Sequence, residues 1–155
     1  MILSRCDICI SSDRRIDKVL KNFTTKEHFD KFNIIPNGFD KDDFTDKIHP
    51  KPDAVFTITH VGTVYRDMPP FAFLNAVLYL IESKVIPHDE IRIIFVGTHE
   101  YNDTLDNPVY NHLLKMGILL DKGFLPHSES IMHMRISDVL LLICANVPDN
   151  KQIIP

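Results

Sequence analysis

Between residues 55 and 145, apolar runs of strand length alternate with longer amphipathic stretches. The last of these runs, Val139-Leu-Leu-Leu-Ile-Cys-Ala145, is apolar at every position. A strand with one wet face alternates apolar and polar side chains, whereas a strand apolar throughout needs cover on both faces. In a chain that alternates strand and helix, that cover comes from helices laid over a parallel sheet. The expected fold class is therefore α/β, a Rossmann-like parallel sheet with helices on both faces. Further strands are expected over 55–61, over 91–96 ending at Gly97, and over 118–124 with Gly123 at its end. A helix over 70–84 carries Phe71, Leu74, Leu78 and Ile81 on one face. A second starts at the cap Asn107 with Pro108 in its first turn, places Val109, Leu113 and Met116 in one stripe, and ends at Gly117. A third covers 128–137.

The preceding stretch is less regular. Residues 5–11 alternate as a strand does, and Ser11 or Ser12 is positioned to cap a helix carrying Ile16, Val19, Leu20 and Phe23 as an apolar stripe. Thr24-Thr-Lys-Glu27 has capping-box spacing ahead of Phe29 and Phe32. Ile34 and Ile35 form a short apolar run expected to be a buried strand, and Pro36-Asn-Gly38 is turn chemistry. Residues 40–53 are charged, contain prolines and mostly lack a period, which marks a linker.

Composition narrows the function classes. The 155 residues suffice for one core of ordinary size, and a formal charge of −4 gives no electrostatic basis for binding nucleic acid or an anionic membrane. No apolar run approaches the ~20 residues of a membrane span, and the first residues lack a signal-peptide pattern, so a cytoplasmic protein is expected. Cys6 and Cys9 have C-x-x-C spacing, but on a strand they point to opposite faces, which disfavours a redox pair or half a zinc site. Asp40-Lys-Asp42 is a D-x-D inside a charge run that continues through Asp43 and Asp46; a solvated face explains it more simply than a Mg²⁺ site. The eight histidines show no metal-ligand spacing, and Met132 and Met134 read as core. No metal is expected.

Thr57-Ile-Thr-His-Val-Gly-Thr-Val-Tyr-Arg-Asp-Met-Pro-Pro70 reads as strand, glycine turn, polar loop and helix start. Such a unit leaves N–H groups facing open space beside a partial positive charge, which suits a phosphate. Gly62 permits close approach, Thr63 offers a hydroxyl, and Arg66 offers a planar fork for phosphate oxygens. The plainer alternative is that Gly62 ends a strand and Arg66 is a solvated loop charge.

Taken in order, four segments resemble the second half of a GT-B glycosyltransferase of the retaining family 4 type. They are Ile34-Ile-Pro-Asn-Gly-Phe-Asp40; His60-Val-Gly-Thr-Val-Tyr65 with Pro69-Pro-Phe-Ala-Phe-Leu-Asn-Ala76; Ile93-Ile-Phe-Val-Gly97; and Gly123-Phe-Leu-Pro-His-Ser-Glu129 with Ser137-Asp-Val-Leu-Leu-Leu142. The resemblance implies that residues 1–35 are the tail of an acceptor domain, 36–53 an interdomain crossing, and 54–155 a truncated donor-binding domain. It implies a transferase that moves a sugar from a nucleotide-sugar donor to a glycan, lipid-linked or small-molecule acceptor, with no metal and no further cofactor. The donor diphosphate would lie against Gly62, Thr63 and Arg66, with Gly97 lining the pocket, and the segment Phe124-Leu125 would lie beside the nucleobase. Gly97-Thr98-His99 also reads simply as a turn, and Phe124 equally as a core residue.

The family's ribose-gripping glutamate lies beyond the segments matched here, and no lysine follows Arg66 in its loop. No catalytic residue is assigned. The chain by itself is expected to be a fragment without turnover, marginally stable, and membrane-peripheral only through an acceptor domain. The competing readings are a non-catalytic Rossmann-like nucleotide- or partner-binding module and a sugar epimerase of the same fold. No G-x-G-x-x-G follows any strand, which disfavours a dinucleotide site.

Overall fold

The computed structural model describes residues 2–44, 51, 53–100 and 105–144, and the chain divides into two compact units, one within residues 2–44 and one within 51–144. Asp46 of the charge run and Ala145 of the apolar run lie outside the described residues.

The first unit opens with a single helical turn, α1 (Ile2–Arg5), followed by β1 (Cys9–Ser11), α2 (Arg14–Lys21), a 3-10 segment Lys26–Lys31, β2 (Phe32–Ile34) and a 3-10 turn Lys41–Phe44. β1 and β2 are parallel, with Cys9 opposite Phe32 and Ser11 opposite Ile34. Asp13, not Ser11 or Ser12, caps α2, its carboxylate accepting from the N–H groups of Arg15 at 2.6 Å and Ile16 at 2.9 Å. A charged cap also meets the helix dipole, which a hydroxyl does not. The cap shifts the helix start, but the larger difference lies in its facing. Asp17 is buried and paired with Lys21 at 2.8 Å, while Ile16, Val19 and Phe23 of the expected stripe are 38%, 49% and 58% exposed. Lys21 lies over the rings of Phe29 and Phe32, at 5.5 Å from each centroid. Ile34 and Ile35 are likewise exposed, not buried. A sheet of two three-residue strands has too little surface to cover an apolar helix face.

The second unit contains β3 (Phe56–Val61), α3 (Phe71–Glu82), β4 (Ile91–Val96), α4 (Pro108–Lys115), β5 (Leu119–Asp121), α5 (His127–Arg135) and β6 (Val139–Leu140). Its four strands form one parallel sheet in the order β5-β4-β3-β6. Two successive steps run one way from β3, and the third returns to its other side. With right-handed crossovers, that order puts α3 and α4 on one face and α5 on the other. Packing agrees. Leu74, Val77 and Ile81 of α3 and Tyr110 and Leu113 of α4 share a core with Ile91, Ile93 and Phe95, the odd positions of β4. The even positions Ile94 and Val96 are buried on the opposite face, where α5 contributes Ile131 and packs on β3. The chain is thus α/β with a Rossmann-like parallel sheet flanked by helices. A leucine buried as completely as Leu74 contributes roughly 2–3 kcal/mol.

The α4 cap is as the sequence predicts: Asn107 accepts from Val109 N–H at 3.0 Å and Tyr110 N–H at 3.3 Å, with Pro108 at the first position. Its stripe differs, since Tyr110 and Leu113 are buried whereas Met116 is exposed. Met132 is exposed too, and the buried position of α5 is Ile131. The all-apolar run at 139–144 pairs with β3 over only two residues and lies at the sheet edge. Leu141 and Ile143 pack against the core, while Leu140 and Leu142 remain exposed. Its composition anticipates cover on both faces; among the described residues it receives cover on one.

Candidate functional site: a cavity over three glycine-ended strands

Three adjacent strands reach the same edge of the sheet and turn there on glycine. Gly62 follows β3, Gly97 follows β4, and Gly123 lies two residues past β5, all with positive φ. The turns are stitched together. Gly62 N–H donates to Val96 carbonyl at 2.9 Å, and Gly97 N–H donates to Gly123 carbonyl at 2.8 Å. The β3 and β4 lines then meet again beyond the glycines, where Val64 N–H donates to Thr98 carbonyl at 2.9 Å and Glu100 N–H to Val64 carbonyl at 3.0 Å. The N–H groups of Gly62 and Gly97, where open-facing donors are expected, are therefore spent on the neighbouring line, and that of Gly123 on Asp121 of its own strand. What Gly97 supplies is room. A Cβ at Gly97 would sit 2.0 Å from the Gly62 carbonyl oxygen, so only glycine permits this approach.

Above this edge lies a cavity of about 520 Å³, within the usual size of a small-molecule site. Gly62, Thr63, Gly97, Phe124 and Leu125 all line it. Those are five of the six residues the sequence predicts for a donor site, delivered by three separate loops. Val61, Val96 and Thr98 complete the strand ends, and α5 supplies His127 and Ser130 from its first turn. The hydroxyls of Thr63 and Thr98 approach to 3.3 Å across the β3 and β4 loops. Phe124 is 79% exposed, which rules out the reading of it as a core residue and leaves an aromatic face free beside the cavity. The sixth residue, Arg66, does not line it; its backbone N–H donates to Glu100 at 3.1 Å. Among the described residues of the lining, His127 is the only ionisable side chain.

No protein-family model matches the chain, and no curated protein does. The site therefore has to be read from its own residues. Among the described residues, no three His, Cys, Asp or Glu side chains are grouped to hold a metal ion, and no helix is long and apolar enough to cross a membrane. Asp40 and Asp42 sit at the 3-10 turn of the first unit, where the Asp40 carboxylate accepts the Asp42 N–H at 2.9 Å, a local turn contact. Cys6 donates to the Leu3 carbonyl at 3.2 Å, and Cys9 lies in β1.

Sequence reasoning missed two polar features below the cavity. Asp121 ends β5 and accepts three bonds: Tyr110 O–H at 2.7 Å and His99 Nε2–H at 3.0 Å on Oδ2, and Gly123 N–H at 3.0 Å on Oδ1. Burial, and then the Asp121 carboxylate, push the Tyr110 hydroxyl pKa far above its ordinary value, so it stays a donor. A lone carboxylate in the apolar run 118–124 is the sequence signal for this cluster. The second feature is His60, buried opposite Phe95. Its Nδ1–H donates to the Leu141 carbonyl at 3.1 Å, while Nε2 is buried without a partner, near the place where a Gly62 Cβ would be. Burial lowers the His60 pKa, which keeps the ring neutral.

Proposed function

We propose that the second unit is the donor-binding half of a nucleotide-sugar-dependent glycosyltransferase of the GT-B type, with the glycine-rimmed cavity as the donor site. The observation that carries this reading is the convergence of Gly62, Thr63, Gly97, Phe124 and Leu125 on one cavity. These residues belong to three separate sequence motifs, and they meet at the carboxyl ends of parallel strands, where open α/β sheets bind ligands.

In this reading the exposed Phe124 ring stacks on a nucleobase. The diphosphate lies along the glycine turns, close to the Thr63 and Thr98 hydroxyls and the first turn of α5. Hydroxyls and a helix N-terminus beside the phosphates stabilise negative charge as it grows on the leaving diphosphate. Arg66 serves this site only if its loop brings the side chain over the rim. Acceptor recognition belongs to a partner domain, with the first unit as its tail. The assignment is tested by titrating the chain with UDP-, GDP- and ADP-sugars in a calorimeter, against the variants Phe124→Ala and Thr98→Val. Binding of one nucleotide class, weakened about tenfold by Phe124→Ala, is expected; no heat with any of them removes the assignment.

One observation favours a second reading, a non-catalytic nucleotide-binding module. Among its described residues the cavity lining has no carboxylate, and His127 is the one titratable side chain. Hydrolysis or transfer of a bound nucleotide sugar by the protein would exclude that reading.

A further inference from the structure

The Asp121 cluster is not used by the proposed chemistry, yet it is wired to the cavity rim. One carboxylate holds α4 through Tyr110, the β4 loop through His99 and the β5 loop through Gly123. The chain of bonds continues: Gly123 carbonyl in turn accepts the Gly97 N–H. Gly97 lines the cavity, and Phe124, which also lines it, directly follows Gly123. His99 directly follows Thr98, another lining residue. Thus every loop that Asp121 grips carries a cavity residue next to the gripped group. Bonds to an ionised acceptor are roughly twice as strong as neutral ones, and a low-dielectric setting strengthens them further.

We propose that Asp121 is the positioning residue of this site: its carboxylate fixes the β4 and β5 loops, and so the Gly97–Gly123 contact and the Phe124 ring, in the geometry that receives the ligand. The loop-fixing role stands on the hydrogen bonds alone. Its consequence for ligand binding rests on the reading of the cavity as a nucleotide site.

Asp121→Asn tests it with almost no change of shape. An amide has one accepting end, so it keeps the Gly123 bond only if its NH2 group meets His99 and Tyr110 and both turn acceptor, and in either orientation the extra strength of bonds to an ionised acceptor is lost. Residue-resolved amide hydrogen exchange, measured well below the melting temperature, should show residues 97–99 and 123–125 exchanging at least about tenfold faster, with β3 unchanged. His99→Ala should loosen 97–99 and leave 123–125 protected, because the Gly123 bond to Asp121 survives; this variant decides the matter if Asp121→Asn does not fold. Tyr110→Phe, which removes the contact to α4 and the 3.3 Å approach of the same hydroxyl to His99 Nε2 but leaves the His99 and Gly123 bonds to Asp121, should change both segments by less than about twofold.

In parallel, UDP, GDP and ADP are titrated against each variant. The nucleotide that binds the unaltered chain should bind Asp121→Asn about tenfold more weakly and Tyr110→Phe equally well. A purely structural role would lower the melting temperature of both without separating them in affinity. Wild-type protection of both segments in Asp121→Asn overturns the proposal, as does unchanged affinity in a chain that does bind. If no nucleotide binds the unaltered chain, the cavity assignment fails, and the exchange measurements still decide whether Asp121 fixes the loops.

Discussion

Helices α2 and α3 carry the same sequence signal and meet different fates. Each has an apolar stripe at helical spacing, and each follows a strand of a parallel βαβ unit. In α3 the stripe is buried through Leu74, Val77 and Ile81, whereas Ile16 and Val19 of α2 and Phe23 just past its end lie open and Asp17 is the buried side chain. The difference is in what each helix has to lie on. β1 and β2 offer three residues each, while β3 and β4 offer six each and have further strands on either side. Periodicity thus states which face of a helix can be buried. The area of the sheet beneath decides whether it is.

The largest effect should come where the second unit is tightest. Gly97→Ala forces a methyl against the Gly62 carbonyl at a positive φ, and should destabilise that unit by about 4 kcal/mol. Gly62→Ala meets only His60 ring atoms at 3.7 Å, and should cost about 1–2 kcal/mol from backbone strain. Urea unfolding read at amides of β3 and β4 measures both; equal effects would mean the two glycine turns are not in contact.

Leu74→Ala against Val19→Ala sharpens the helix comparison directly. The first should cost about 3 kcal/mol by removing packed side-chain atoms from a filled core. The second should stay within about 0.5 kcal/mol, because Val19 is half exposed. A comparable loss for Val19→Ala would show that the α2 stripe is covered in solution.

The smallest effect is one of pH. Burial lowers the pKa values of His60 and His133 below the ordinary 6.5. The unfolded chain then takes up protons before the folded one does. Their contribution is present above pH 6.5 and is lost as pH falls through that value toward the folded pKa values. Asp53 and Asp138, held low by bonding to Arg92 and Lys51, lose their contributions only below about 3.8, so they do not interfere. The urea midpoint should fall between pH 7.5 and 5.5, and less so in His60→Asn, whose amide still donates to Leu141; a flat profile would contradict a neutral buried His60.

Much of the second unit is legible in the sequence because its signals are local. Asn107 with Pro108 fixes a helix start by side-chain and ring chemistry alone, and glycines mark the ends of β3, β4 and β5. What escapes is whatever depends on neighbours distant in the chain. Tyr110 lies one position from the expected Val109 and is buried because its hydroxyl finds Asp121 eleven residues later. Phe124 has a core residue's composition and an exposed position, since the strand ends before it reaches the interior. The run at 139–144 is apolar on both faces but stands at an edge. The residues that line the cavity come together for a different reason: they follow strand ends, and in a parallel sheet the strand ends share one edge.

The central claim is that this edge receives a nucleotide diphosphate sugar. The most direct measurement is a titration of the chain with UDP-, GDP- and ADP-sugars followed through backbone amide resonances. With one nucleotide class, shifts are expected at Gly62, Thr63, Gly97, Thr98, Phe124 and Leu125, and not in the first unit. Millimolar ligand of every class leaving those six amides unmoved, or shifting only residues elsewhere, would contradict it.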